Sequence, residues 1–334
     1  MRFKAKLAPE QLAMLYQVIL PLSKIAATGA SEGGGTSNSI WTRNGSFLHL
    51  DESTLRLSTK GKSGADSGAE NVQCFAEVDA TNGGIFLEHR IESAANNAIL
   101  MELDLAQFRI ALQSICSDHR SSLEQRQNQY TILKLAKRNG IPCLELDAFT
   151  SSPVVGEGGS QSHNGGDSGR GLMMQMHHSI PVRILRPSEM THHLPPQIAD
   201  PTVQLALEKP LRPVVEGLRA LSQSIYLHAT SAGELTLSVD NDGASIRAFL
   251  QNAQSQQENN GGQESAECTV KVDTKKLCST LQWQQPNTPW VSKVLLCLVE
   301  NEMLVLHVAL HPSSVGFFTY YIPVQYLPKD VAEE

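Results

Sequence analysis

One recurrence constrains this chain more than anything else: four times it runs strand, helix, then two or three strands. "RFKAKL" (2–7) alternates Phe3, Ala5 and Leu7 on one side of an extended segment. A helix opens at Pro9 and lines up Leu12, Leu15, Ile19 and Leu22, and "SIWTR", "FLHLD" and "LRLST" follow as strands. The second unit reads "AILMEL", helix "LAQFRIALQSI", "YTILKLA", "CLELDAF". The third reads "VQLALE", helix "PLRPVVEGLRALSQ", "IYLHAT", "ELTLSVD", "SIRAFLQ". The fourth reads "CTVKVD", helix "TKKLCSTLQ", "VLLCLVE", "MLVLHVAL", "FFTYYIPV". Period-two alternation marks the strands and 3.6-residue spacing the helices.

The units repeat in detail. "LMELDLAQFRIALQ" aligns with "TVKVDTKKLCSTLQ", so Phe108 matches Leu277, Leu112 matches Leu281, and Gln113 matches Gln282. Asp104 and Asp273 both stand where a strand gives way to a helix, and there a carboxylate accepts from the open N–H groups of the first turn. Pro9 and Pro210 begin the other two helices, where a missing N–H costs nothing. The chain is therefore a tandem duplication, each half itself doubled. Each half must pack a pair of helices on antiparallel sheet, which makes the architecture α+β with the helices on one face. Residues 1–186 and 202–328 form the halves, 187–201 the connector and 329–334 a tail. Segments 29–39, 60–70, 118–129, 151–171 and 253–265 are polar, aperiodic and rich in Gly, Ser, Asn and Gln, and read as loops.

A 41% apolar and 18% charged composition over 334 residues supports packed cores. The net charge of −7 gives no overall basic signature, but binding to nucleic acid depends on where charge sits. The six cysteines form no CxxC pair and read as core thiols of a reducing compartment. "MRFKAKL" has no apolar signal region and no apolar run is long enough to cross a membrane, so a soluble intracellular protein is expected.

The helices' free faces share a sign. The third helix buries Leu211, Val214, Val215, Leu218 and Leu221 and shows Arg212, Glu216, Arg219 and Gln223. The fourth shows Lys275, Lys276 and Gln282, the second Arg109 and Gln113, and the first ends on Lys24. Basic and amide side chains with little aromatic interleaving suit phosphate contact without base reading.

Motifs suggestive of catalysis fail on context. "GASEG" (29–33) has the spacing of a nucleophile elbow around Ser31 but lacks the preceding strand. "GKS" (61–63) has Arg56 where a phosphate loop needs glycine. "DNDG" (240–243) reads as a hairpin turn between alternating strands. In "HHSIPVRILRPSEMTHHLPP" (177–196) the two histidine pairs are far apart, and Glu189 is the one carboxylate between them. The stretch reads as a last strand, Ile180–Ile184, then a proline-held strap from Arg186 to Pro196, with the histidines in solvent at its ends. No catalysis, metal or cofactor is expected. A hydrolase using Ser31 or the histidines is the remote alternative.

Four strand–helix–strand units in two joined halves resemble the sliding DNA clamps of the PCNA type. The resemblance narrows to the Hus-one branch of the nine-one-one (Rad-nine/Hus-one/Rad-one) DNA-damage checkpoint clamp. It is carried by "MRFKAK", "NNAILMELDLAQFRIALQS" from Asn96, "IPCLEL" from Ile141, "HSIPVRIL" from His178, "DPTVQLAL" from Asp200, "GELTLSV" from Gly233 and "YYIP" from Tyr320. It implies a non-catalytic subunit of a heterotrimeric ring, completed by two Rad-family clamp subunits. Such a ring encircles double-stranded DNA without sequence preference, is set in place by a clamp loader and recruits checkpoint and repair proteins. The location implied is nuclear, and cytoplasmic before assembly. Lys24, Arg109, Arg212, Arg219, Lys275 and Lys276 would face phosphate. Ile184, Leu185, Tyr321 and Pro323 would line a partner-peptide groove near the connector, with Met190 where some relatives carry an aromatic. A replicative clamp closing on copies of itself is the nearer alternative.

Overall fold

The computed structural model describes residues 1–27, 46–60, 71–81, 84–118, 129–152, 171–186, 188–189, 194–241, 243–250, 254–255, 266–284, 291–311 and 315–326. Ser31, "SIWTR", "GKS", Met190, the second histidine pair and the tail lie outside them.

The first half runs β1 (Arg2–Leu7), α1 (Pro9–Ala27), β2 (Ser46–Leu50), β3 (Thr54–Lys60), β4 (Gln73–Asp79), β5 (Glu88–Glu92), β6 (Ile99–Leu103), α2 (Leu105–Asp118), β7 (Gln129–Arg138), β8 (Ile141–Ser152) and β9 (Gly171–Ile184). The second runs β10 (Val203–Ala206), α3 (Arg212–Arg219), β11 (Ser224–Thr230), β12 (Leu235–Asn241), β13 (Ala244–Leu250), β14 (Gln254–Ser255), β15 (Glu267–Asp273), α4 (Thr274–Thr280), β16 (Val291–Val299), β17 (Met303–Leu310) and β18 (Gly316–Gln325). The pattern omitted β4 and β5, and β14 falls inside the expected loop 253–265.

All pairings are antiparallel. One sheet is β5–β1–β7–β8–β9, another is β13–β12–β11–β15–β18, and between them runs β10–β16–β17–β18–β4–β3–β2–β6–β9. The two longest turning strands, β9 and β18, each belong to two sheets. In both halves the first strand joins the second unit's sheet (β1 with β7, β10 with β16) and the reverse holds for β6 with β2 and β15 with β11. This exchange is the duplication expressed as topology. The halves meet at β4–β18, where Cys74 faces Tyr320, both wholly buried. Gly316 permits the close approach there, because a Cβ would lie 2.1 Å from the Glu77 carbonyl.

The expected caps form. Asp104 accepts from the Ala106 N–H at 2.8 Å, and Asp273 from the Lys276 N–H at 2.9 Å. Pro210 lies outside α3, whose first turn holds Pro213 instead; α3 stops at Arg219, leaving Leu221 42% exposed rather than in the apolar set. The core fills the space between helices and sheets, with Leu12, Leu15, Ile19, Leu112, Leu211, Val215 and Leu277 all buried.

Candidate functional site

The four helices form one layer. α1 packs against α2 and α4, and α3 packs against α4, so the order across the layer is α2–α1–α4–α3. Each helix buries its apolar stripe on the sheets and turns its polar stripe outward. Lys24, at the last turn of α1, reaches across the halves to the Gln282 side-chain oxygen at 3.4 Å. Partial burial, then the Arg212 and Arg109 cations, hold its pKa below the usual lysine value. Three of the expected phosphate-facing residues, from α1, α2 and α3, therefore share one field. Arg109 donates to Gln113 at 3.3 Å, and Arg212 is bonded to Glu216 at 2.8 Å, which reduces its share of that field. Arg219 and Lys275 are exposed, and Lys276 is half-buried. What this layer offers is a run of donors at phosphate-contacting length.

The expected groove residues do not come together. Tyr321 and Pro323 lie on β18, in register with Val305 and Met303 of β17. Ile184 and Leu185 belong to the far side of the central sheet: Ile184 pairs with Met101 of β6, and the Leu185 N–H donates to the Leu100 carbonyl at 2.9 Å. β6, β2, β3 and β4 stand between them and β18. Ile184 also packs on the main core rather than on the outer face. The outer face around Tyr321 carries its own cluster of Cys297, Met303, Val305 and Tyr321, joined by Phe75, Leu295 and the connector's Ile198. The Phe75 and Tyr321 rings meet edge-on at 5.7 Å. The Ala199 N–H, bonded to Glu302 at 3.2 Å, ties the connector down nearby. The sequence signal for this cluster was the unbroken apolar run "MLVL" (303–306), which means burial on both faces.

The first histidine pair is not in solvent at the end of a strap. β9 is fourteen residues long and contains both. His178 points under α2, where its Nε2 lies 2.9 Å from the Ser114 hydroxyl. His177 points to the outer face, with Nδ1 2.5 Å from Asp147 and Nε2 2.5 Å from an Arg138 N–H. Glu145, Asp147 and His177 bring ligand atoms within 4.8 Å of one another. Lys134 fills the place between the acids, 2.7 Å from Asp147 and 3.3 Å from Glu145, and Arg138 is 2.5 Å from Glu145. The cluster is thus a closed ion-pair network. Burial pushes both carboxyl pKa values up, but Lys134 with Arg138 (for Glu145) and with His177 (for Asp147) outweigh it and hold them down. Five of the six thiols are buried, and burial raises Cys268 and Cys297 to about 11, so neither is a ready nucleophile.

Comparison with known proteins agrees with this geometry. The chain resembles the checkpoint protein hus1 homolog of Dictyostelium discoideum, 28% identical over 260 residues, covering 76% of this chain and 82% of that one. It resembles the checkpoint protein hus1 of Schizosaccharomyces pombe, 26% identical over 255 residues, covering 71% and 78%. Its fold matches the solved proliferating cellular nuclear antigen of Entamoeba histolytica with a TM-score of 0.60 at 11% identity, over 97% of this chain and 99% of that one. The model of the family described as Hus1-like protein matches residues 42–325. The chain belongs to the Hus1-like protein family.

Proposed function

We propose that this protein is a non-catalytic subunit of a heterotrimeric checkpoint clamp that encircles double-stranded DNA, is placed there by a clamp loader and recruits checkpoint and repair factors in the nucleus. The observation that carries the reading is the helix layer, which pools Lys24, Arg109, Arg212, Arg219, Lys275 and Lys276 on one side of the molecule and leaves the sheets on the other. In a closed ring that side faces the hole. Affinity then comes from topology plus loose, sequence-independent phosphate contact, and the acidic total charge is no obstacle.

Two sheet edges support ring formation. β13 pairs only with β12 among the described residues, and shows Ile246 at 39% and Phe249 at 72% exposure. It is the repeat-equivalent of β4, which inside this chain pairs with β18. β9 is the equivalent of β18, and residues 174–179 correspond to the part of β18 that β4 covers. The joint between the halves is thus a pattern for joints between subunits. The apolar cluster at Tyr321 and the connector, with Pro323 at its rim, is the docking face for partner peptides.

The test is co-expression with two clamp relatives, followed by loading on nicked circular DNA. A one-to-one-to-one ring should stay on the circle and slide off once it is linearised. Arg219→Glu with Lys275→Glu should lower retention without lowering Tm. A chain that joins no ring, or one equally retained on linear DNA, overturns the reading. A chain that trimerises alone establishes the self-closing alternative.

A further inference from the structure

The two open edges differ in chemistry, and the difference selects the neighbours. At the internal joint Thr319 of β18 stands opposite Phe75 of β4. The repeat maps Thr319 onto His177 and Phe75 onto Arg247. A second copy of this chain docking on β9 would therefore bring Arg247 onto His177 and the Arg138 guanidinium bonded to it. Lys134 stands behind them, and the acids that balance these cations are already committed beneath. Exposure is graded the same way: the Arg138 side chain is 53% exposed, Lys134 36% and His177 26%, while Glu145 and Asp147 are at 6% and 7%. Whatever approaches from solvent meets the cations first. An approaching cation is repelled, and an apolar residue would strip water from them without replacing its bonds.

Resting on the ring reading above, we propose that the subunit docking on β9 carries a carboxylate in register with His177, taken up by Arg138, and that this charge pairing excludes a second copy of this chain. The neighbour on β13 is selected differently, by apolar contact with Ile246 and Phe249. One face of the subunit thus reads charge and the other reads apolar shape, and the order of chains around the ring follows.

The experiment uses the assembled three-chain ring and native mass spectrometry across a salt series. Arg138→Glu should weaken the β9 joint about tenfold at about 0.1 M salt, with the gap narrowing towards about 1 M, while the β13 neighbour stays bound as a two-chain complex. Changing the neighbour's in-register carboxylate to Arg should restore the joint. Because Arg138→Glu also faces Glu145, Arg138→Gln serves as the gentler variant, with a smaller loss and the same salt trend. A ring as stable with either substitution as without, or one that loses its β13 neighbour instead, overturns the proposal. Failure of the unaltered chain to form any ring overturns the ring reading itself, so the two failures are told apart.

Discussion

The outer faces of the two halves occupy the same register and hold opposite chemistry. Lys134, Cys143, Glu145 and Ser179 in the first half stand where Cys297, Met303, Val305 and Tyr321 stand in the second. The cross-strand pair Asp147–His177 is matched by His307–Thr319, bonded at 3.0 Å. The inward positions did not diverge: Leu133, Leu144, Leu146 and Ile180 match Leu296, Leu304, Leu306 and Ile322, all buried. The duplication therefore keeps the face that excludes water and frees the other. One outer face became apolar and took the connector as cover. The other became an ion-pair network.

Transplanting one face into the other breaks this comparison most forcefully. Val305→Glu buries a carboxylate with no cation beside it, at a position wholly without exposure, and should cost about 4 kcal/mol of unfolding free energy in urea melts. Adding Cys297→Lys, in register with Val305 as Lys134 is with Glu145, should recover part of it. A double variant no better than the single would mean that the two faces are equivalent in register only.

The opposite change is milder. Lys134→Met strips Glu145 and Asp147 of their shared cation and should cost about 2 kcal/mol, below a fully buried pair because Lys134 still touches water. With Glu145→Val added, the cost should shrink, since Asp147 keeps His177. Caps come next. Asp104→Ala and Asp273→Ala should each cost about 1 kcal/mol, and by similar amounts, since both hold the same position of the repeat. Thermal melts that separate the two widely would show that one helix is held by packing alone.

The repeat was legible because inward positions alternate and helix starts carry Asp. The α+β architecture and the four helices followed from that, whereas the clamp reading came with the family resemblance. β5 was not legible: "EHRIE" is polar and buries Ile91 alone. The cations of the helix layer could be named from spacing, but their proximity could not, because Lys24, Arg109 and Arg212 come from three helices. The groove reading failed at Ile184 and Leu185 for a related reason. They are near the connector in sequence, but β9 enters the central sheet at the end opposite β10, with β6, β2, β3 and β4 between it and the β17–β18 face on which Ile198 settles. The first histidine pair misled because fourteen residues of β9 were read as five.

The smallest predicted effect separates the halves by charge at one turn. Asp51, closing the β2–β3 turn, accepts from the Ser53 and Thr54 N–H groups at 2.9 and 2.7 Å and from their hydroxyls at 3.0 and 2.6 Å. Partial burial raises its pKa, but the Thr54 hydroxyl, the two N–H groups and the Ser53 hydroxyl outweigh it and set the pKa at about 2. Thr230 holds the matching place in the second half, where its neutral hydroxyl accepts from the Glu234 N–H at 3.4 Å. A folded pKa below the unfolded one means that Asp51 stabilises fully above about pH 4, and the contribution is lost as pH falls towards about 2. Asp51→Asn keeps an acceptor and loses only the charge, so it should cost about 0.5 kcal/mol at neutral pH, a deficit that shrinks as pH falls through about 2. Thr230→Val should cost a similar amount at every pH, having no proton to exchange. A deficit of Asp51→Asn that does not shrink at all between neutral pH and about pH 2 would make the carboxylate's charge irrelevant and leave the two turns alike.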